Sequence, residues 1–549
     1  MTPSLADIAA QTWDVVVIGG GINGAGIARE AARAGYRTLL VERDDFGAGT
    51  TSRATRLIHG GLRYLEHGEL GLVHESLSAR EDLLRTAPHL VRPLRLLVPV
   101  YAADARPPWK VRAGLALYDA LSLRKSLPRN RALPLRHLPA YEPGLSRDGL
   151  RAAYLMSDAQ VEFPERLVIE AVRDLVDARG VALNHTEAVR FVSPGGKLRS
   201  VVVRAARAAL GDSSTPGDEA EVAAAVVVNA TGPWADRVLA GSDAERHEPL
   251  IGGTKGSHLV VEWPDGPQHA IFASAKTDGR PFFILPWYRY TLVGTTDLRY
   301  SGDPSDARCT PDELRYLLDE ATRLFPATPL RAEHVLYTYS GVRPLPYTPK
   351  GDEAAITRAH FIIDHVKRGG PAGLLSVVGG KLTTYRSLAR TALPVIARHV
   401  APSREPARVA PLAPSRAGDP AAHAPAGPLA LYGGRAAEVR ALADADPSLA
   451  APICPHNPEL LAQVAYAVER EQAVTLADVL LRRLPCGWSA CHALDGAEHA
   501  ARVMARRLHW DNARIVAELA SYELDLREAL VPPSDVLASG DLSAASAPR

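Results

Sequence analysis

The chain has 549 residues, 46% of them apolar, which is enough for several domain-sized units with large cores. Lys and Arg number 63 against 62 Asp and Glu, so a net charge of +1 gives no bulk electrostatic case for a nucleic-acid partner, and any membrane contact has to be local. Four cysteines, at 309, 454, 486 and 491, make no C-x-x-C pair and no Cys/His spacing usual for zinc or an iron–sulfur cluster; no metal is expected, any cofactor should be organic, and free thiols suit a reducing compartment.

Met1 to Thr12 lacks the basic-then-apolar order of a signal peptide, and no run of 18 apolar residues predicts a bilayer-spanning helix. From Trp13 to Val41 an apolar run (Val15 to Ile18), a glycine cluster, an alanine-rich helical stretch and a second apolar run (Thr38 to Val41) form a βαβ pattern. Gly19-x-Gly21-x-x-Gly24 lies at the strand-to-helix junction and Glu42 ends the second strand. Gly19 allows the tight turn, Gly21 lets backbone approach a pyrophosphate, Gly24 lets the helix pack closely, and Glu42 would accept from ribose hydroxyls. A glycine-rich turn alone is weak evidence, but Ala28, Ala32 and Gly35 complete the context for a dinucleotide site.

Ile58-His-Gly-Gly-Leu-Arg-Tyr-Leu-Glu66 is the first of three motifs that set arginine beside glycine, the combination that lets a planar guanidinium approach a phosphate. Buried strand runs at Ala223 to Val228 and Leu374 to Val378 predict further members of one parallel sheet. Asn229-Ala-Thr-Gly-Pro-Trp234 follows the first of these and is either a close approach to a cofactor or an ordinary strand-to-turn junction. Alternating stretches near Gly256 to Glu262, Phe282 to Pro286 and Tyr290 to Thr295 predict a second, antiparallel sheet. Tyr339-Ser-Gly-Val-Arg-Pro344 and Gly379-Gly-Lys-Leu-Thr-Thr-Tyr-Arg386 are the other cationic motifs; in the last, a strand ends in glycine and a helix starts near Thr383, where N–H groups and Lys381 would stabilise negative charge on a reduced ring. Ala401 to Pro428 is a Pro/Ala-rich linker or loop. Helix-spaced apolar residues over Ala436 to Ala443, Pro458 to Arg470, Thr475 to Leu484 and Ala497 to Leu526 predict a helical C-terminal domain, and Pro532 to Arg549 is expected to be disordered. No strongly amphipathic basic helix is evident as a membrane surface.

Val17-Ile-Gly-Gly-Gly-Ile-Asn-Gly-Ala-Gly26, His59-Gly-Gly-Leu-Arg-Tyr-Leu-Glu66, Thr254-Lys-Gly-Ser-His258, Gly294-Thr-Thr-Asp297, Ser340-Gly-Val-Arg-Pro-Leu345, Ile356-Thr-Arg358, Gly379 to Arg386 and Leu476-Ala-Asp-Val-Leu-Leu-Arg-Arg483 occur in this order. With them the sequence resembles the FAD-dependent glycerol-3-phosphate dehydrogenases, over about residues 13 to 530. The resemblance implies an α/β fold with a Rossmann-like parallel-sheet FAD domain (about 13–90, 151–250 and 340–400), an intercalated antiparallel-sheet substrate domain (91–150 and 251–339), a linker at 401–430, and a helical C-terminal domain at 431–531. It implies noncovalent FAD held by Gly19, Gly21, Asn23, Gly24, Glu42, Arg43, Thr51, Ser52, Thr231, Gly232, Trp234, Gly380, Lys381, Leu382 and Thr383.

The resemblance places substrate contacts on Arg63, Tyr64, Arg343, Arg358 and Lys381, with His258 and Arg343 matching positions of the proton and hydroxyl chemistry. On this reading His258 is the base, Arg343 polarises the alkoxide, and Arg63, Arg358 and Lys381 hold the phosphate of sn-glycerol 3-phosphate. His258 is equally well read as a packed strand residue, and His59 carries the same ambiguity. The implied partners are a membrane quinone and the inner face of the cytoplasmic membrane, met peripherally, and the family allows a homodimer. Two alternatives stand beside the dehydrogenase: a glycerol-3-phosphate oxidase using dioxygen, and a flavin-binding sensor or scaffold without turnover.

Overall fold

Val15, Val16 and Val17 are fully buried because the strand Thr12–Ile18 runs through the middle of a parallel sheet, with packing on both faces. A computed structural model describes residues 3–122, 125–206, 216–240, 248–350, 353, 356–407 and 427–544. The main strand order is Phe361–Asp364, Leu374–Val378, Glu219–Asn229, Thr12–Ile18, Thr38–Val41 and Val181–Leu183, parallel except for the first edge strand, and the antiparallel pair Ser200–Ala205 and Thr186–Val192 extends from Glu219–Asn229. Ile18 lies level with Val41 and Asn229, so the carboxyl ends of the central strands form one rim. Helix Ile22–Arg33 starts at that rim and packs on helices Pro164–Asp177 and Tyr385–Ile396 through Ala25, Ala28, Ala31 and Ala32.

The second sheet runs Leu298–Arg299, Thr254–Val261, Tyr290–Gly294, Pro281–Trp287, Ala270–Ser274, Val91–Tyr101, Leu150–Val161 and Leu57–Ile58, with Val335–Arg343 on the free side of Thr254–Val261. It is antiparallel apart from the pairing of Ala270–Ser274 with Val91–Tyr101. Here the expected boundaries are corrected: Leu150–Val161, assigned by sequence to the flavin side, pairs along its length with Val91–Tyr101. Burial at every position from Ala153 to Val161 removes the alternation that would mark it as part of an antiparallel sheet.

Beyond the sheets lie helices Ala436–Ala445, Leu461–Glu471, Ala497–Leu508 and Asn512–Ala529, with a π-helical turn at Asp478–Arg483. The expected stretch from Ala497 to Leu526 is two helices, because His509 takes φ +55° and Asp511 caps the next helix by accepting from the Arg514 N–H at 2.7 Å. The expected disorder from Pro532 is corrected as far as Ala544, and residues 545–549 lie outside the described residues. Val531 exchanges two backbone hydrogen bonds with Thr338 at the sheet edge, and helix Pro533–Ala544 follows with Val536 buried. Of the expected linker, residues 408–426 lie outside the described residues.

Candidate active site

Helix Ile22–Arg33 presents its first N–H groups to a cavity of about 380 Å³ at the rim of the parallel sheet. Gly19 sits at φ +103°, and a Cβ there would stand 2.7 Å from the Ala230 carbonyl oxygen. At Gly24 a Cβ would come within 1.9 Å of the Gly19 oxygen, so this glycine serves helix packing and does not line the cavity. Gly21 differs: the nearest atom to an added Cβ is Thr51 Oγ1 at 3.5 Å, which leaves its surface open to a ligand. Thr51 Oγ1 also accepts from the Ile22 N–H at 3.1 Å.

Glu42 accepts from the Gly20 and Asp44 N–H groups at 2.6 and 2.9 Å. Burial and the neighbouring Asp44 push its carboxyl up to about 7. Arg43 lies 4.8 Å over the Trp234 ring, and Thr231 and Gly232 complete that wall. Asn23 Oδ1 is buried without a protein partner beside Gly380. A cavity with a glycine cradle, helix N–H groups and an orphaned amide oxygen fits a dinucleotide such as FAD. Ser52 stands apart from it, buried and donating to the Gly47 carbonyl at 2.7 Å.

Thr50, Ala54, Pro344 and Gly380–Leu382 line both this cavity and a second one of about 270 Å³. The second cavity gathers Arg63 and Tyr64 from the turn Leu62–His67, His258 from the strand Thr254–Val261, Arg343 from the end of Val335–Arg343, and Arg358, Lys381 and Thr383 from loops. Asp297 joins three of the arginines. Its carboxylate accepts from Arg343 Nη1 at 2.9 Å and Arg358 Nη2 at 2.8 Å, and lies 4.0 Å from Arg63 Nη1. Burial works against its charge, but Arg343 and Arg358 outweigh burial and hold the carboxyl below its ordinary range. Arg358 is 7% exposed, and its Nη1 has no protein partner.

Lys381 donates to Ser76 Oγ at 2.8 Å and lies 4.1 Å over the Tyr64 ring. Burial brings its amine down to about 7 despite Glu75 and Glu69. His258 stacks on Tyr339 with ring centroids 4.8 Å apart, and its Nε2 lies 2.9 Å from Thr55 Oγ1. Nδ1 is buried without a partner. Burial, then Arg343 and Arg56, depress the imidazole well below its ordinary value, so it is neutral at pH 7. Thr383 Oγ1 accepts from the His59 N–H at 3.2 Å, and burial brings the His59 ring down to about 4.

All the residues expected at the substrate line this second cavity, and of those expected at the cofactor only Gly24 and Ser52 lie off both cavities. The sequence reading assigned no role to Asp297, although Gly294-Thr-Thr-Asp297 was among the quoted motifs, and none to Arg280 or Thr55. A lone carboxylate amid arginines far apart in sequence gives no local signal. A glycine does: a Cβ at Gly256 would fall 2.2 Å from Arg343 Nη2, so that position is kept bare for the guanidinium.

A rim-bound dinucleotide cavity joined to a cation-lined pocket under a second sheet is the arrangement of a flavin-dependent oxidoreductase. Residues 14–402 match the family described as FAD dependent oxidoreductase, and residues 425–515 match the C-terminal domain of alpha-glycerophosphate oxidase. The glycerol-3-phosphate dehydrogenase of Synechocystis sp. is 41% identical over 499 residues, covering 87% of this chain and 89% of that protein. D-erythritol 1-phosphate dehydrogenase of Brucella abortus is 40% identical over 392 residues, covering 69% and 72%. The structure of the Bacillus halodurans glycerol-3-phosphate dehydrogenase complexed with FAD superposes with a TM-score of 0.72 at 24% identity, covering 96% of this chain and 97% of that one. The chain belongs to the FAD-dependent glycerol-3-phosphate dehydrogenase family.

Proposed function

We propose that the chain oxidises sn-glycerol 3-phosphate to dihydroxyacetone phosphate and delivers the electrons to a membrane quinone. The observation that carries the substrate assignment is the cluster of Arg63, Arg343 and Arg358 around one carboxylate, Asp297, with Lys381 in the same pocket, which adjoins the dinucleotide cavity. Three guanidinium ions against one carboxylate leave positive charge for a phosphate dianion to neutralise.

FAD, held by the glycine cradle, Thr51 and the Gly380–Leu382 turn, supplies the hydride acceptor when bound. Asp297 fixes the directions of Arg343 and Arg358, so little conformational entropy is lost when phosphate arrives. The free Nη1 of Arg358 and the ammonium of Lys381 bind the phosphate. The neutral His258 takes the proton of the secondary hydroxyl, and Arg343 beside it stabilises the developing alkoxide.

The quinone assignment draws support from helix Pro108–Leu121. Its outer face carries Trp109 (72% exposed), Ala113, Ala116, Leu117 (41% exposed) and Ala120 at helical spacing, flanked by exposed Lys110 and Arg112. An apolar face with an interfacial tryptophan and basic flanks suits the surface of an anionic bilayer. Beside the helix, with Lys110, Ala113 and Leu117 in its wall, a largely apolar cavity of about 290 Å³ reaches Leu62, Arg63, Phe272 and Pro281, which also line the substrate pocket. Among the described residues no helix is long and apolar enough to cross a membrane.

The test is a steady-state comparison of substrates and acceptors on the FAD-loaded protein. Glycerol 3-phosphate should outperform both D-erythritol 1-phosphate and glycerol in kcat/KM, and a short-chain quinone should outperform air. Preference for the erythritol ester would reassign the substrate, and stoichiometric peroxide with no quinone reduction would make the enzyme an oxidase. Trp109→Ser combined with Leu117→Ser should lose flotation with anionic vesicles and keep turnover with a water-soluble quinone.

A further inference from the structure

The C-terminal helical region brings together a set of side chains that the flavin chemistry does not use. Sγ of Cys454, Sγ of Cys491 and a carboxylate oxygen of Asp495 lie within 4.8 Å of one another. His456 Nε2 is 3.3 Å from Asp495 Oδ2. Two thiols and a carboxylate thus converge from the segments around 454–457 and 489–496, with the exposed His456 imidazole beside the carboxylate, although Cys454-x-His456 and Cys491-x-x-x-Asp495 match no familiar spacing.

The surroundings suit thiolates. Asn457 Nδ2 donates to Cys454 Sγ at 3.1 Å and lies 3.3 Å from Cys491 Sγ, and the Ser489 hydroxyl is also 3.3 Å from Cys491 Sγ. The Ser489 hydroxyl itself donates to the Cys486 carbonyl at 2.6 Å, so the donor aimed at the sulfurs is the Asn457 amide, the kind of neighbour a ligating thiolate needs. The two segments approach as closely as backbone allows: a Cβ on Gly496 would stand 2.2 Å from the Ile453 oxygen and 2.9 Å from Cys454 Cβ. His492 and Ala493, both with positive φ, turn the chain between Cys491 and Asp495. Bonds of ~2.0–2.3 Å to a tetrahedral ion put its ligand atoms ~3.3–3.8 Å apart, so the three atoms now within 4.8 Å of one another must draw in by up to about 1 Å or slightly more, and the exposed His456 ring must turn in from beside Asp495.

We infer that Cys454, His456, Cys491 and Asp495 form a binding site for a divalent zinc ion that clamps these two segments of the C-terminal region. A site of two sulfurs, one nitrogen and one oxygen matches zinc in softness and coordination number, and with every position supplied by protein its role is structural. Binding replaces two S–H bonds by two sulfur–metal bonds and releases two protons to solvent. No electrons are transferred. Affinity therefore rises with pH.

The experiment uses the full-length, FAD-loaded protein kept reduced. Elemental analysis should find about one zinc per chain, and Co²⁺ added to chelator-stripped protein should give a thiolate-to-cobalt charge-transfer band with visible bands of tetrahedral intensity. Cys454→Ser and Cys491→Ser should each abolish the charge-transfer band or cut it markedly, whereas Cys309→Ser, a thiol elsewhere in the molecule, should leave it intact. Asn457→Ala should weaken Co²⁺ binding ~10–100-fold without shifting the bands. Flavin content and far-UV circular dichroism verify folding in each case. The inference is overturned by folded wild-type protein that retains no zinc and shows no cobalt bands, by bands that survive in the Cys454→Ser/Cys491→Ser double variant, or by a Cys454–Cys491 disulfide in the reductant-free peptide map.

Discussion

Asp297 makes no use of its charge on a substrate; it spends it on arginines. Converting it to asparagine keeps the shape and removes the charge that orients Arg343 and Arg358. Asparagine keeps one acceptor oxygen, so loss of about one charge-assisted hydrogen bond, at ~1.5–3 kcal/mol, predicts that Asp297→Asn lowers kcat/KM for glycerol 3-phosphate by ~10–100-fold while FAD stays bound. A titration of bound flavin beside steady-state kinetics checks both halves. His258→Gln should keep FAD and lose turnover by ~100-fold or more, as expected of a positioned base, and undiminished turnover would remove His258 from the mechanism.

Lys381 gives a pH dependence of definite sign. Its amine sits at about 7 in the free site, so it is charged below that pH and largely neutral above it. A phosphate dianion favours the charged form and raises the pKa in the complex, so binding takes up a proton above pH 7. Apparent KM should therefore rise with pH from about 7, and Lys381→Arg should flatten the profile. At this scale the arginine-glycine motifs were visible in sequence because each is local. The Asp297 hub was not, because Arg63, Asp297, Arg343 and Arg358 meet only after two sheets have formed.

Among the elements, the strand Thr254–Val261 shows how a site is built by leaving atoms out. A methyl group on Gly256 would meet the Arg343 guanidinium at 2.2 Å and Thr295 Oγ1 at 2.6 Å, side-chain atoms and not backbone, so the guanidinium must move aside and the Thr295 hydroxyl turn. Gly256→Ala should thus leave the melting temperature nearly unchanged but lower turnover by displacing the guanidinium; equal turnover would show that Arg343 is not held where the mechanism needs it. The βαβ unit and the C-terminal helices were readable from apolar period, since each packs along one continuous stripe or run. Leu150–Val161 was misassigned because burial on both faces erases the period of two. The helix Pro533–Ala544 escaped notice because its sequence is polar and small, and its path is set by the Val531–Thr338 pairing, a contact between residues far apart in the chain.

Over the whole molecule, the C-terminal helices are fastened to the flavin-side sheet by buried charge. Arg483 donates to both oxygens of Asp45, which sits just past the strand Thr38–Val41, and Arg166 pairs with Glu471 at 2.7 Å. Removing one member leaves the other charged and buried, so Arg483→Ala should cost ~3–5 kcal/mol and lower the melting temperature, with a larger loss than any single exposed ion pair produces. Sequence reading placed a helical unit after the sheets but had no means of seeing this fastening, because charged residues in a chain with 63 Lys and Arg carry no mark of which ones are buried.

The central claim, that the cation-lined pocket presents glycerol 3-phosphate to bound flavin, is tested most directly by adding the substrate to the FAD-loaded protein under anaerobic conditions and following flavin absorbance. Near-complete bleaching by glycerol 3-phosphate, none by glycerol, and loss of the response in Asp297→Asn at limiting substrate are predicted. Flavin that dithionite reduces but saturating glycerol 3-phosphate leaves oxidised would contradict the account.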